Sequence, residues 1–269
     1  MTELPFDPNA VDDLLRNVAR QEIMPRFRNL KDGAVFEKRP GELVTEADIM
    51  AERWLAERLT SLLPGSTVVG EENSEDDPGL LLRIGSGTTW VVDPVDGTQN
   101  FADGSDCFAV IIAFCQDGET YAGWIYNPIG DIVCRAIRGA GARFDNGSAI
   151  APPRRGTDIV RLRGSLGYRA RTALKKRRSE TPELVKRYRC VGREYMDLAA
   201  GVLDFVQYGF RLKPWDHLAG ALIAAEAGYH VALAGTGGAY RPGPDGIVDG
   251  SIIVAPNTPA WRWIESLIA

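Results

Sequence analysis

Apolar residues recur every three or four positions in several parts of the chain, which is the spacing of a helix face. This spacing predicts an amphipathic helix over residues 11–24, ending before Pro25. It predicts a second helix from Thr45 to Pro64, where Thr45 and Asp48 come close to a capping box. Similar patterns predict further helices over residues 194–201, 215–228 and 258–268.

Short β-prone runs lie between these helices. The continuous apolar run over residues 108–114 predicts a buried strand, and residues 120–126 and 132–136 are predicted to be its antiparallel neighbours. Turn residues predict hairpins over 35–44, which contains Pro40-Gly41, and over 139–147. The remaining strands are predicted over residues 67–70, 90–92, 159–165, 203–208 and 247–254.

The order of these elements indicates the fold class. Helices and strands are mixed, but they do not follow a regular strand–helix–strand order, which favours a layered α+β fold. We expect an N-terminal lobe over residues 1–150 and a C-terminal lobe over residues 151–269, joined as one compact unit that shares the site.

Composition narrows the function classes. The chain has 269 residues, a net charge of −5 and a sequence pI of about 5.3, so it is predicted to bind neither nucleic acid polymers nor membranes. The start of the chain lacks signal-peptide features, which predicts a cytoplasmic location. With only His217 and His230, a zinc site built on several histidines is excluded. The four cysteines form no CxxC pair and are predicted to be buried thiols.

The segment over residues 90–101 carries the clearest chemistry. An apolar strand leads to Asp93 and Asp96, and Pro94 fixes the turn between them. Gly97 allows a ligand to approach the backbone, and Thr98 is predicted to cap a helix whose free N–H groups favour an anion. Hard oxygen ligands beside an anion site are typical of magnesium–phosphate chemistry. Taken alone, the segment is also compatible with a simple capped turn.

Three more carboxylates stand at predicted element ends. Alone, Asp48 and Asp216 would be helix caps, and Glu71 would lie in a solvated loop. Together with Asp93 and Asp96 they would repel one another unless a cation lay among them. A set of carboxylates with few histidines suits Mg²⁺ better than Zn²⁺.

Four segments of the chain, in this order, resemble the motifs of the inositol monophosphatase family. The resemblance covers nearly the whole chain and implies a layered αβαβα sandwich, a metal-dependent phosphatase, a homodimer and inhibition by lithium. The segments lie at residues 43–48, 70–73, 90–101 and 214–228.

The resemblance also implies a ligand set for two or three Mg²⁺ ions per subunit. Glu71, Asp93 and the carbonyl of Val95 would hold the first ion, and Asp93, Asp96 and Asp216 the second. Glu71 would help to hold a weaker third ion. Metal-activated water would then attack the phosphorus in line, without a protein nucleophile.

The resemblance also implies which residues would bind the phosphate and orient the attacking water. Gly97 and Thr98 would present backbone N–H groups to the phosphate. Asp48 and the Thr98 hydroxyl would orient the attacking water, and Glu71 would take part in the same step.

The substrate side departs from the inositol-specific pattern. Gly192-Arg193-Glu194 stands where those enzymes carry Gly-Ser-Ala, and no glutamate precedes the last Trp-Asp pair. Arg211 and Lys213 are predicted to face an additional phosphate or carboxylate. The substrate candidates are therefore Asp96, Arg193, Glu194, Arg211 and Lys213. The basic stretch at residues 169–189 fits either a solvated helix face or a rim that attracts a polyanion.

These observations predict a Mg²⁺-dependent phosphomonoesterase that acts on a small soluble metabolite, in the manner of an inositol monophosphatase. A 3′(2′),5′-bisphosphate nucleotidase or a histidinol-phosphate phosphatase stays open within the same family. A non-catalytic regulatory protein associated with RNA polymerase is the alternative from another class. Dehalogenase-type phosphatases are disfavoured, because their two aspartates stand two residues apart whereas Asp93 and Asp96 stand three apart.

Overall fold

The computed structural model describes residues 3–30, 33–39, 42–151, 153, 158–177, 181–242 and 246–268. Eight helices are assigned in these ranges. They are α1 (Pro8–Val18), α2 (Glu46–Leu62), α3 (Glu71–Asp76), α4 (Thr98–Ala102), α5 (Tyr168–Lys176), α6 (Val191–Ala199), α7 (Pro214–Glu226) and α8 (Thr258–Glu265). Helix α1 continues into one π-helical turn, Ala19–Ile23, and a longer 3-10 helix spans Pro78–Gly85. None of the described helices has both the length and the hydropathy needed to cross a bilayer.

The strands of the described residues form two large sheets and one small hairpin. The hairpin pairs β1 (Val35–Arg39) with β2 (Glu42–Thr45), and its predicted Pro40-Gly41 turn lies outside the described residues. The six-stranded sheet has the order β3 (Thr67–Gly70), β4 (Thr88–Asp96), β5 (Ala109–Gln116), β6 (Glu119–Asn127), β7 (Ile132–Ile137) and β8 (Gly141–Phe144). The five-stranded sheet has the order β10 (Glu183–Leu184), β9 (Arg163–Ser165), β11 (Phe205–Leu212), β13 (Val248–Ala255) and β12 (His230–Leu233).

Successive side chains of each strand point to opposite faces of its sheet and pack against different helices, so the helices and sheets form five layers. In the six-stranded sheet Val92 packs with α1 and α2, while Val91 packs with α6 and α7. In the five-stranded sheet Ile252 faces α6 and α7, while Ile253 packs with α5 and α8. Helices therefore cover both faces of both sheets, and α6 and α7 form the shared middle layer. The predicted αβαβα sandwich is confirmed, and the burial of both faces explains the unbroken apolar run of β5.

Two segments differ from what the local pattern alone indicates. Residues 159–165 are not one strand, because Ile159–Arg161 form a 3-10 turn in which the Val160 N–H donates to the Asp158 carboxylate. Glu71 is not in a loop: it is the first residue of α3. The Asn73 side chain accepts a hydrogen bond from the Gly70 N–H and stabilises this helix start.

Candidate active site

A one-residue bulge at the end of β4 aligns the two aspartates of the central motif. Asp93 lies opposite Ile111 of β5 and Asp96 lies opposite Ala109, so three steps on β4 match two steps on β5. Ile111 and Ala109 share one sheet face, and directly opposed residues point to the same side. The bulge therefore brings both carboxylates to the face that packs against α6 and α7. Pro94, which has no N–H to donate, lies inside the bulge, where a ladder bond is not needed.

Asp96 joins β4 to the start of α6. Its carboxylate accepts hydrogen bonds from the N–H groups of Val191 at 3.0 Å and Gly192 at 2.5 Å. The Cys190 thiol donates to the same carboxylate at 3.0 Å. Burial nevertheless raises the Asp96 pKa to about 6.

Asp48 and Thr98 meet although they are far apart in sequence. The Asp48 carboxylate accepts from the Thr45 N–H at 2.9 Å and the Thr45 hydroxyl at 2.5 Å, which completes the predicted capping box of α2. The Thr98 hydroxyl lies 3.2 Å from the other Asp48 oxygen and 3.1 Å from the Val95 carbonyl. Burial raises the Asp48 pKa to about 6. The structure thus holds this carboxylate and this hydroxyl together at the end of β4.

The backbone at Gly97 requires a glycine. Its φ is +91°, and a Cβ there would lie 3.1 Å from the Cys107 carbonyl oxygen and 3.2 Å from the Arg189 carbonyl oxygen. Gly97 is the cap residue of α4, and Thr98 is its first helical residue, so Thr98 does not cap this helix as predicted. The Thr98 hydroxyl does not cap the helix and instead donates to the Asp48 carboxylate.

Two lysines lie among the carboxylates. The Lys213 ammonium is 3.0 Å from Glu71 Oε1 and also bonds to Glu42. The Lys38 ammonium is 2.5 Å from Glu72. Burial would lower the Lys213 pKa, but the surrounding carboxylates outweigh it and raise that pKa. Lys213 therefore lies on the carboxylate side of the site and does not line the cavity that Arg211 lines.

Glu52 is a functional candidate that sequence reasoning missed. It is 4% exposed, and its two carboxylate oxygens accept from the N–H groups of Glu72 and Asn73, each at 2.7 Å. It thereby fixes the first turn of α3, which carries Glu71. The available signal was its position one helical turn after Asp48, on a helix face that is otherwise apolar.

Asp93 and Asp216 complete the acidic cluster. Asp216 lies in the first turn of α7, which begins at Pro214. Burial raises the pKa of Asp93, and the charges of Glu71, Asp96 and Asp216 raise it further. Burial also raises the pKa of Asp216, and the charges of Glu71 and Asp96 raise it further.

This cluster fits a hard divalent cation by its chemistry. Its donors are carboxylate oxygens that repel one another, and Lys213 already supplies one positive charge. Among the described residues, no group of three or more His, Cys, Asp or Glu side chains is arranged to hold a metal ion. The Lys213 ammonium lies beside Glu71.

A cavity of about 1300 Å³ opens beside the cluster. Asp216 and His217 of α7 line it, together with β11, the start of α5, and α8. Arg211 lines it as well, whereas Glu194 is buried beneath it, with Oε1 3.7 Å from Nε of Arg187. Arg193 is half-buried on α6 and is not among the lining residues. Burial lowers the His217 pKa to about 3, so its imidazole is neutral and packs against tyrosine rings.

A sequence profile described as the inositol monophosphatase family matches residues 9–269. The chain belongs to the inositol monophosphatase family. Within this family, the Mycobacterium tuberculosis protein named inositol-1-monophosphatase SuhB is 35% identical over 219 residues, covering 75% of this chain and 72% of that protein. The Vibrio cholerae protein named Nus factor SuhB is 30% identical over 220 residues, covering 78% and 79%.

The fold of this inositol monophosphatase family member also matches solved structures. The extragenic suppressor protein suhB from Bartonella henselae superposes with a TM-score of 0.78 at 26% identity, over 97% of both chains. The family consists of generally metal-dependent proteins that bind small phosphorylated substrates. Its members thus include proteins named for a phosphatase activity and proteins named as a Nus factor.

Proposed function

We propose that this protein is a Mg²⁺-dependent phosphomonoesterase that hydrolyses a small phosphorylated metabolite. The observation that carries the proposal is the clustering of buried and half-buried carboxylates from separate elements beside one large cavity, which Asp216 lines. Asp93 and Asp96 come from β4, Glu71 from α3 and Asp216 from α7. Mutually repelling buried carboxylates destabilise a fold unless a bound cation offsets their charge.

The chain's own residues would divide the chemistry as follows. Glu71, Asp93, Asp96, Asp216 and the Val95 carbonyl would hold two or three Mg²⁺ ions, which supply charge neutralisation and an acidified water when bound.

The remaining groups would position the reactants. The backbone N–H groups of Gly97 and Thr98 would donate to the phosphate oxygens. Asp48 is fixed by Thr45 and touches the Thr98 hydroxyl, so this pair would orient the attacking water and accept its proton. Much of the catalysis is then positioning plus electrostatics.

The test is inorganic phosphate release from inositol monophosphate, adenosine bisphosphate, histidinol phosphate and sugar phosphates, with Mg²⁺ and then with EDTA. We expect Mg²⁺-dependent turnover of at least one compound, and a loss of roughly a hundredfold or more in Asp93→Asn. Asp103→Asn is the matched control, because Asp103 is an exposed carboxylate at the end of α4 that accepts a hydrogen bond from the Gln99 side chain. Turnover that survives both EDTA and Asp93→Asn would refute the proposal.

The same proposal includes a cytoplasmic location, a homodimeric state and inhibition by Li⁺. Sedimentation tests the homodimer, and LiCl titration tests the inhibition. The second candidate is a regulatory binding role, which the name of the Vibrio cholerae relative favours. A folded protein that binds Mg²⁺ but hydrolyses none of these compounds would support that role.

A further inference from the structure

Two cysteines from separate segments of the chain meet beside the Asp96 carboxylate. Cys190 is the buried residue that precedes α6, and its thiol donates to Asp96 at 3.0 Å. Cys107 lies between α4 and β5, two residues before Ala109, which is the β5 residue opposite Asp96. Both cysteines therefore border the end of β4, where the bulge places Asp96.

The surrounding backbone holds the two cysteines close together. The Asn100 side-chain N–H groups donate to the Cys107 carbonyl and to the Tyr188 carbonyl, each at 2.8 Å. The Cys107 thiol also donates to the Tyr188 carbonyl at 3.9 Å. A Cβ added to Gly97 would lie 3.1 Å from the Cys107 carbonyl oxygen and 3.1 Å from the Cys190 Cβ. The two thiols interact through a hydrogen bond.

Cys107 differs from the other cysteines in exposure and in reactivity. Cys115, Cys134 and Cys190 are buried as predicted, whereas Cys107 is half-buried and thus open to a small oxidant. The hydrogen bond from Cys190 lowers the pKa of Cys107, and the charge of Arg193 lowers it further although burial opposes both. The reactive thiolate form of Cys107 is therefore favoured. Burial raises the pKa of Cys115 and of Cys134 to about 12, so these two thiols stay protonated.

We propose that Cys107 and Cys190 form a reversible disulfide that removes a hydrogen-bond donor from Asp96. The oxidant is a peroxide. The Cys107 thiolate attacks one peroxide oxygen and becomes a sulfenic acid, while the O–O bond breaks and the departing hydroxide is protonated to water. The Cys190 sulfur then attacks the Cys107 sulfur, the S–O bond breaks, and the hydroxyl group leaves with the thiol proton as a second water. The two sulfurs thus lose two electrons, which the peroxide gains.

This disulfide would change the surroundings of Asp96. The carboxylate would keep the N–H donors of Val191 and Gly192. It would lose the thiol donor, because the Cys190 sulfur would be bonded to Cys107. Hydrogen bonds to a ligating carboxylate orient it, and the loss of such a partner weakens metal binding by about 10–100-fold. The disulfide itself does not depend on the proposed phosphatase function, whereas its effect on Mg²⁺ rests on that function.

The test treats the folded protein with hydrogen peroxide, alkylates the remaining thiols and maps the peptides without reductant. Chymotrypsin cleavage after Phe101 and Phe108 isolates Cys107 in one peptide, and cleavage after positions 188 and 195 isolates Cys190 in another. We expect these two peptides to be joined in the oxidised protein and to separate again after treatment with dithiothreitol. Cys107→Ser should abolish the cross-link. Cys134→Ala removes a buried thiol of another segment and should retain the cross-link.

Calorimetric titration with Mg²⁺ tests the consequence at Asp96. We expect the oxidised protein to bind Mg²⁺ about tenfold or more weakly than the reduced protein, and dithiothreitol to restore the affinity. The same peroxide treatment should leave the affinity of Cys107→Ser unchanged, because this variant retains the thiol of Cys190 beside Asp96.

The outcomes separate the disulfide from its effect and from the proposed function. Peptides that stay separate, or a Cys107 that takes up oxygen without being joined to Cys190, would overturn the disulfide. A cross-link found only between two chains would overturn it as well. An internal cross-link that leaves the Mg²⁺ affinity unchanged would overturn the effect on Asp96. If neither the reduced nor the oxidised protein binds Mg²⁺, the proposed phosphatase function fails, and the peptide map alone decides the disulfide.

Discussion

The Glu52 carboxylate and the Gly70 backbone are packed together beneath the candidate site. A Cβ on Gly70 would lie 2.2 Å from a Glu52 oxygen, so only glycine leaves room for this carboxylate. Glu52 in turn occupies the first N–H groups of α3, where a negative charge is favoured by the helix dipole. One buried residue thus fixes the orientation of the helix that presents Glu71.

Glu52→Ala should destabilise the protein by about 1–3 kcal/mol, because it leaves two N–H groups without their acceptor. Glu52→Gln keeps one acceptor and should lose less. Glu57→Ala, on the same helix with a side chain that is 78% exposed, should change stability by at most about 0.5 kcal/mol. Urea unfolding of the three variants gives the comparison. Equal stability of Glu52→Ala and Glu57→Ala would contradict the role assigned to Glu52.

At the scale of elements, a buried ion pair joins α1 to the six-stranded sheet. The Arg135 guanidinium of β7 lies 2.5 Å from the Asp12 carboxylate of α1, and it donates to the Asn9 side chain at 2.7 Å. Both charged side chains are nearly inaccessible. Burial raises the Asp12 pKa, and the charge and hydrogen bond of Arg135 oppose that rise. Arg135 therefore stabilises the ionised form of the Asp12 carboxylate.

Arg135→Met should therefore cost about 3–5 kcal/mol, because it leaves a buried carboxylate without a counter-charge. The Asp12→Leu/Arg135→Met double variant should recover most of that loss, since an apolar pair of similar volume can replace a buried ion pair. Denaturant unfolding of both single variants and the double variant measures the coupling. Additive losses would show that the two residues act independently.

The sequence predicted the main helices and strands well where the apolar pattern was long, as in α2 and β5. It failed where one polar side chain decides the local structure. Asp158 turns the chain into a 3-10 helix at Ile159, and Asn73 stabilises the start of α3. Such choices depend on single hydrogen bonds, which hydropathy does not report.

The candidate site was predictable only in part, for a similar reason. The motif residues of β4 and α7 could be named from spacing and from the family resemblance. Lys38 could not, because its significance lies in its contact with Glu72, on another element. Glu52 offered only the indirect signal of a carboxylate on an otherwise apolar helix face.

At the scale of the whole molecule, the buried carboxylates make the stability of the metal-free protein depend on pH. Burial raises the pKa of Glu72 to about 8, of Glu52 to about 7 and of Asp48 to about 6. A carboxyl whose pKa is raised in the folded state binds more protons there than in the unfolded chain. Its contribution is thus fully present below its ordinary pKa of about 4 and is lost as pH rises through the folded value. His217, whose pKa is lowered to about 3, opposes this trend below about pH 6.5.

We therefore expect the protein in EDTA to be less stable at about pH 8 than at about pH 5. Added Mg²⁺ should stabilise it more at the higher pH, because a bound cation requires the ionised carboxylates. Urea midpoints at both pH values, with EDTA and with Mg²⁺, test this. The Asp216→Asn variant should show a smaller pH dependence. A metal-free protein that becomes more stable as pH rises would contradict the expectation.

The bulge at the end of β4 sets a condition on strand pairing as well as on chemistry. In a regular strand, residues three apart point to opposite faces, and the single extra residue around Pro94 reverses that parity for Asp93 and Asp96. If β4 kept this three-residue spacing without the bulge, one carboxylate would turn toward α1 and α2, on the far side of the sheet. A homologous chain that retains both aspartates at this spacing but pairs the two strands without the bulge would thus keep the letters of the motif and lose the shared face.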